Sequence, residues 1–486
     1  MPEKTSAPAF NRLITTIALL LTFILLTRTP IDADMWWHLR SGEEIVTQGQ
    51  ILLKDIFSYT RFGADRVNAY WMAASFLYLI FDFGSYFALA GFVALIGVAT
   101  FSIIARQMRG PAFMRASLII LAAITAAPIW SPRPQLFSFF FLAILDYWLS
   151  VLKKDEKARF WLLVPFFALW ANLHGGYIWG ILLLIAHLIG EVFNKWLGRE
   201  CLPAKTRKNL SLYTIFALFA VLINPNGIEL WLLPFRTLGV SPGIQEWLSP
   251  DFHQISFQPM LWMLFLFIFA LANTAKKLNF RDLFKVMGFT YMTFISQRNI
   301  APYAIILLPV LSRQFSFFWD EEIAPRVFQL GARFSTNSQP KQLPLKLTHL
   351  INGFLVSLIV IAALGNLYIL TRPTTVDENY PVHAVEWIKE NQPEGALFNS
   401  YNWGGYLIWN LREYPVFIDG RADLYGEELI GQWKQVAIGG EVAQQILNEW
   451  DVHLILLEPS WAVVDELSQY GWELLYEDEM SVVYGR

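Results

Sequence analysis

Residues 32–38, Asp32-Ala33-Asp34-Met35-Trp36-Trp37-His38, place two carboxylates, two indoles and an imidazole directly after the first long apolar segment, Leu13 to Leu26. Acids at i and i+2 can hold a divalent cation such as Mg or Mn, and either Asp34 or Asp32 can act as a general base. His38 can carry a proton or donate to a phosphate. Trp36 and Trp37 can stack on a sugar ring or a lipid chain, although such a pair also fits the aromatic belt of a membrane interface. Asp32 also fits the cap of a helix that starts at Met35.

Other polar clusters share this chemistry. Arg133 lies in Ser131-Pro132-Arg133-Pro134-Gln135 and Arg298 in Ser296-Gln297-Arg298-Asn299. A guanidinium fork at a helix terminus can bind a phosphate through two parallel bonds. Asn172-Leu173-His174-Gly175-Gly176 supplies His174 as a further proton carrier or phosphate donor and Asn172 as a substrate contact. Asp419-Gly420-Arg421-Ala422-Asp423 follows the β-like run Val416 to Ile418. If this turn faces a ligand, Asp419, Arg421 and Asp423 contact an acceptor; an Asp-Gly turn closed by an Asp–Arg pair is the other reading.

The elements that must position these groups are membrane helices. Of 486 residues, 55% are hydrophobic and 16% charged, too apolar for an ordinary soluble protein. Apolar blocks place helices near 13–27, 84–105, 116–131, 135–152, 160–173, 176–194, 210–224, 258–273, 282–296, 300–313 and 347–371. This makes a mainly α polytopic protein of about eleven spans. Residues 67–83 read as an aromatic helix lying in the interface. The single cysteine, Cys201, excludes an internal disulfide framework and a Cys-based metal cluster. A net charge of −3 gives no sign of a nucleic-acid partner.

Loop charge sets the orientation. Lys4, Arg12 and the loops 106–115, 153–159, 195–208, 276–281 and 313–346 carry 22 basic residues, against eight in the alternate loops. The positive-inside rule then puts the N-terminus in the cytoplasm, as expected for a cytoplasmic (inner) membrane protein. All the polar clusters fall on the opposite side. Residues 314–346 read as a cytoplasmic linker. Residues 373–486 change character to alternating β-like and helical runs, an extracytoplasmic α/β domain after a membrane domain of residues 1–372.

An acidic cluster opening the first outer loop, many helices and a C-terminal outer domain together resemble the GT-C superfamily of membrane glycosyltransferases. Protein O-mannosyltransferases, lipid A aminoarabinose transferases and oligosaccharyltransferase catalytic subunits belong to it. Trp387 to Asn391, followed by a strand and Asn402-Trp403-Gly404-Gly405-Tyr406, resembles the start of the oligosaccharyltransferase soluble domain. The aspartate of that family's Trp-Trp-Asp-Tyr-Gly motif is missing here. The Asp-x-Asp-x-Trp-Trp-His, Asn-Leu-His-Gly-Gly and Asp-Gly-Arg-Ala-Asp elements also resemble those of a set of bacterial multi-pass proteins. The resemblance implies sugar transfer from a polyprenyl-phosphate donor to a glycan, lipid or protein acceptor in cell-envelope assembly, with Asp32 or Asp34 catalytic or metal-binding. A non-catalytic relative that binds lipid-linked glycan, or scaffolds envelope assembly, is the alternative.

Overall fold

The computed structural model describes residues 6–152, 158–237, 245–327 and 344–486. The helices of the membrane domain are α1 (Ser6–Leu26), α2 (Ala33–Gln48), α3 (Trp71–Ala105), α4 (Ala112–Ala126), α5 (Gln135–Val151), α6 (Leu163–Leu173), α7 (Tyr177–Trp196), α8 (Ala204–Ala220), α9 (Glu229–Thr237), α10 (Gln258–Ala272), α11 (Phe280–Ile295), α12 (Ile300–Phe318) and α13 (Leu345–Leu370). Each apolar block read from the sequence lies on one of them. Among the described residues, six helical stretches are long and apolar enough to cross a bilayer, and three apolar helices are shorter. The chain is a multi-pass membrane protein.

Helix α12 is the hub of the bundle. Its apolar window is 83% buried, whereas that of α13 is 11% buried. A helix that is apolar all round needs either a protein core or lipid on every side. α12 takes the first and α13 the second, packing beside α1 while most of its surface faces outward.

Two sequence expectations change. The interfacial helix 67–83 and the span 84–105 are one continuous helix, α3, broken by non-helical backbone at Gly84 and Ser85. The break falls at the expected junction. The expected linker 314–346 begins as helix instead, since α12 runs on through a π-helical turn, Trp319–Ile323, to Val327. Residues 328–343 of that expected linker lie outside the described residues.

The C-terminal domain contains α14 (Val382–Asn391), β1 (Ala396–Asn399), α15 (Gly404–Asn410), α16 (Ala422–Ile438), α17 (Glu441–Glu449), β2 (Val452–Leu457), β3 (Glu473–Glu477) and β4 (Val482–Gly485). The sheet order is β1-β2-β4-β3, with β1 and β2 parallel across the helical crossover and β4 antiparallel to both its neighbours. Val416 to Ile418, expected as a strand, makes only a bridge to Ser58. The Asn399 side chain substitutes for a neighbouring strand: its Oδ1 accepts from the Phe417 amide at 2.8 Å and its Nδ2 donates to the Ile418 carbonyl at 2.8 Å.

This domain is seated on α2. Trp36 is 1% exposed and takes Tyr380 and Tyr406 edge-on at 5.4 and 5.3 Å. A Cβ at Gly405 would run into the Ala33 carbonyl, so glycine there lets α15 touch the start of α2. The loop between α2 and α3 reaches up into the domain. Thr60 donates to the Phe417 carbonyl at 2.6 Å and Arg61 to the Tyr425 carbonyl at 2.8 Å. The acidic cluster is thereby clamped between the two parts of the molecule.

Candidate active site

Asp32 caps α2: its Oδ1 accepts from the Asp34 amide at 2.9 Å. Capping starts the helix, and the helix sets Asp34 and Trp37 one turn apart on one face. The Trp37 indole donates to Asp34 Oδ1 at 3.0 Å. The cap and the expected acid at 34 are therefore one device, with Asp32 fixing the position of Asp34.

Arg133 enters from the loop before α5. Its Nε lies 3.1 Å from Asp32 Oδ2, its Nη1 2.8 Å from Asp34 Oδ2, and its Nη2 pairs with Glu246 Oε1. Nε also donates to Ser131 Oγ at 3.1 Å. Arg133 was expected to grip the donor phosphate. Each of its three nitrogens instead already holds a carboxylate. Glu246 is the third acid. Nothing local in the sequence joins it to Asp34, 212 positions away.

Two cavities meet at this cluster. The larger, of ≈ 440 Å³, is lined by Asp32, Asp34, Arg133 and Glu246 below, and by Tyr401, Asn402, Trp433, Lys434 and Trp461 of the C-terminal domain above. The smaller, of ≈ 170 Å³, lies on the far side of Asp34 and Arg133, with Trp37, His38, Tyr70, His174, Trp247, Arg298 and Asp423 in its wall. Asp34, Arg133, Glu246 and Gly420 border both.

The smaller chamber is suited to an anion. Among the described residues Arg298 has no carboxylate partner; its guanidinium stacks on Trp247 at 5.7 Å. His174 Nδ1 accepts from the Gly176 amide at 2.9 Å and meets Ser138 Oγ at 2.8 Å, while that oxygen accepts from the Trp170 indole at 2.7 Å. An Nδ1 that accepts an amide bond places the ring proton on Nε2, free to donate into the chamber. Burial, reinforced by Arg298 and Arg133, pulls the His174 pKa down to about 3, so the ring is a neutral donor. Burial and the neighbouring Arg66 likewise keep His38 neutral. The His38 ring lies against Trp37 at 3.5 Å with the planes tilted by 34°, and edge to face with Tyr70 at 4.7 Å.

Electrostatics separate the acids. Burial raises the Asp34 pKa to about 6; Arg133 opposes the rise, and Asp32 and Glu246 add to it. Burial acts on Glu246 too, but there Arg133 prevails and the pKa falls. The two acids are thus pushed in opposite directions by the same surroundings.

Of the remaining expected site residues, Trp36, Asn172 and Asp419 border neither cavity. Trp36 belongs to the aromatic core under the C-terminal domain, away from both cavities. Asn172 is a structural tie: it accepts from the Trp71 indole at 2.9 Å and donates to the Ile223 carbonyl at 2.7 Å. Asp419 and Arg421 are sealed in a buried network with Asp55 and Tyr425. Arg421, although its side chain is sealed, borders the smaller chamber together with Asp423. The residue of this turn that bears on Asp34 is Gly420. A Cβ there would collide with Asp34 Oδ1, so only glycine lets the turn close over the acid.

Where a divalent cation was expected, at Asp32 and Asp34, the Arg133 guanidinium already pairs with both acids. Among the described residues, no group of three or more His, Cys, Asp or Glu side chains is arranged to hold a metal. The guanidinium of Arg133 stands where their oxygens converge.

No protein-family model and no curated protein sequence matches the chain. Its backbone does match solved structures. The oligosaccharyltransferase of Archaeoglobus fulgidus in its apo form superposes with a TM-score of 0.64 at 12% identity, over 96% of this chain and 71% of that one. The same enzyme, AglB, in complex with an inhibitory peptide and a dolichol-phosphate gives 0.61 at 12% identity, over 98% and 74%. ArnT from Cupriavidus metallidurans in its apo state gives 0.50 at 14% identity, over 99% and 98%. These similarities establish the fold alone: a membrane helix bundle with a small C-terminal α/β domain, shared with the AglB and ArnT structures.

Proposed function

We propose that the protein is a glycosyltransferase that moves a sugar from a polyprenyl-phosphate donor to an acceptor at the outer face of the cytoplasmic membrane. One observation carries this reading: a single carboxylate with a raised pKa, Asp34, borders two cavities with opposite chemistry. The smaller chamber offers Arg298 and the Nε2–H of His174 to a phosphate. The larger offers aromatic and amide groups to an acceptor. The fold of AglB, solved with a dolichol-phosphate, supports a lipid-phosphate donor. The loop-charge asymmetry supports the outward-facing orientation.

In this mechanism the acceptor hydroxyl loses its proton to Asp34 as its oxygen attacks the anomeric carbon. The bond from that carbon to the phosphate oxygen breaks, and the electron pair leaves with the phosphate. Arg298 and His174 stabilise the developing negative charge. Asp32 and Trp37 hold Asp34 in place; Gly420 admits it to the junction.

A second reading, a non-catalytic relative that binds lipid-linked glycan, draws on the full engagement of Asp34 by Trp37 and Arg133. A transfer assay in membranes, with labelled sugar on a polyprenyl phosphate, separates the two. Transfer that disappears in the Asp32→Ala, Asp34→Ala double variant supports the enzyme. Transfer unchanged in that variant sinks it, and donor binding without turnover in the wild type favours the second reading.

A further inference from the structure

We propose that Arg133 is the resident cation of this site: its guanidinium takes the position a divalent ion would hold among Asp32, Asp34 and Glu246, and the wild-type site takes up no metal. The three acids come from two separate regions, the start of α2 and the short turn Gln245–Trp247, and converge on one guanidinium. Three carboxylates oriented that way are ordinarily drawn together by a positive ion. Here Nε, Nη1 and Nη2 of one side chain each reach a different carboxylate.

Five of the six carboxylate oxygens are already engaged. Asp32 Oδ1 holds the Asp34 amide and its Oδ2 holds Nε. Asp34 Oδ1 holds the Trp37 indole and its Oδ2 holds Nη1. Glu246 Oε1 holds Nη2. A divalent ion entering the cluster would lose these oxygen ligands and meet a like charge at bonding distance. The guanidinium stays protonated throughout the physiological range, and the acids raise its pKa further. Pro132 and Pro134 on either side restrict the backbone that presents it.

The exchange has a chemical consequence. A fixed single charge organises the acids without supplying a Lewis-acid centre to the donor phosphate. Phosphate stabilisation then falls to Arg298 and His174 alone. The binding statement stands whether or not the chain transfers sugar; only chelator-insensitive transfer depends on the glycosyltransferase reading.

Mn²⁺ binding to the full-length protein in detergent, followed by electron paramagnetic resonance, tests it without turnover. The wild type should show no bound Mn²⁺ that Asp34→Asn removes, and EDTA should not shift its melting. Arg133→Ala should bind Mn²⁺ with a Kd of about 10⁻⁴–10⁻³ M, and should lose that binding when Asp34→Asn is added. Stoichiometric, Asp34-dependent Mn²⁺ on the wild type overturns the proposal. So does a folded Arg133→Ala protein that binds none. The wild-type measurement decides on its own where Arg133→Ala fails to fold.

Discussion

Arg133 and Arg421 make the same kind of contact and do different work. Each joins carboxylates from separate stretches of chain. Arg421 holds Asp419 through Nη2 at 2.5 Å and pairs by Nη1 with Asp55 from the loop after α2. Tyr425 closes the network on Asp419. All three charged side chains in it are 0% exposed. Around Arg133, by contrast, Asp34 is 23% and Glu246 40% exposed, and two cavities open on the cluster. A sealed charge network fixes how two parts of a chain meet. An open one has lone pairs and space left for a reactant. Residue types alone do not distinguish the two; the degree of closure does.

The contrast can be broken at several points. Its largest expected effect is at the sealed network. Arg421→Met leaves Asp55 and Asp419 buried without their cation, which should cost about 3–5 kcal/mol and destabilise the seating of the C-terminal domain. Thermal melting of the solubilised protein measures it; a normally melting Arg421→Met variant would remove the distinction drawn here. At the open site, Arg298→Ala should lower the transfer rate by about 10²–10³ with melting unchanged, because it removes a charge that acts on the leaving phosphate. Transfer near wild-type level would move the phosphate out of the smaller chamber. Gly420→Ala should have a smaller effect, about tenfold to 10² in rate, through displacement of Asp34 rather than loss of a reacting group. An equal loss in Gly420→Ala and Gly420→Ser, without accumulation of unfolded protein, would fit this. A rate unaffected by either would show that the turn yields instead.

Much of this was legible in the sequence for physical reasons. Membrane helices announce themselves through uninterrupted apolar length, and the break at Gly84 and Ser85 fell at the expected junction between the interfacial helix 67–83 and the span 84–105. Asp32, Asp34, Arg133, His174 and Arg298 were recognisable as polar groups clustered at membrane exits, and they line the two adjoining cavities. The partners were not legible. The role of Glu246 depends on how a distant loop folds back. Tyr401, Trp433 and Trp461 read as ordinary helix and loop aromatics until the crossover places them over Asp34. The Asp419–Arg421 pair carries the same letters whether sealed or open, and only Asp55, arriving from the loop after α2, decides which. Val416 to Ile418 has strand composition, yet the Asn399 side chain takes the place of a pairing strand.

The initial transfer rate of the wild type and of Asp34→Asn, followed between about pH 5 and 8, tests the central claim most directly. A base must be deprotonated to act, and Asp34 has its pKa raised to about 6. The wild-type rate should therefore fall as pH drops through about 6 and level off above it. Asp34→Asn should be slower by about 10²–10⁴ and lack that limb, with melting preserved. A wild-type rate in Asp34→Asn, or the same acid limb in both proteins, would contradict the account.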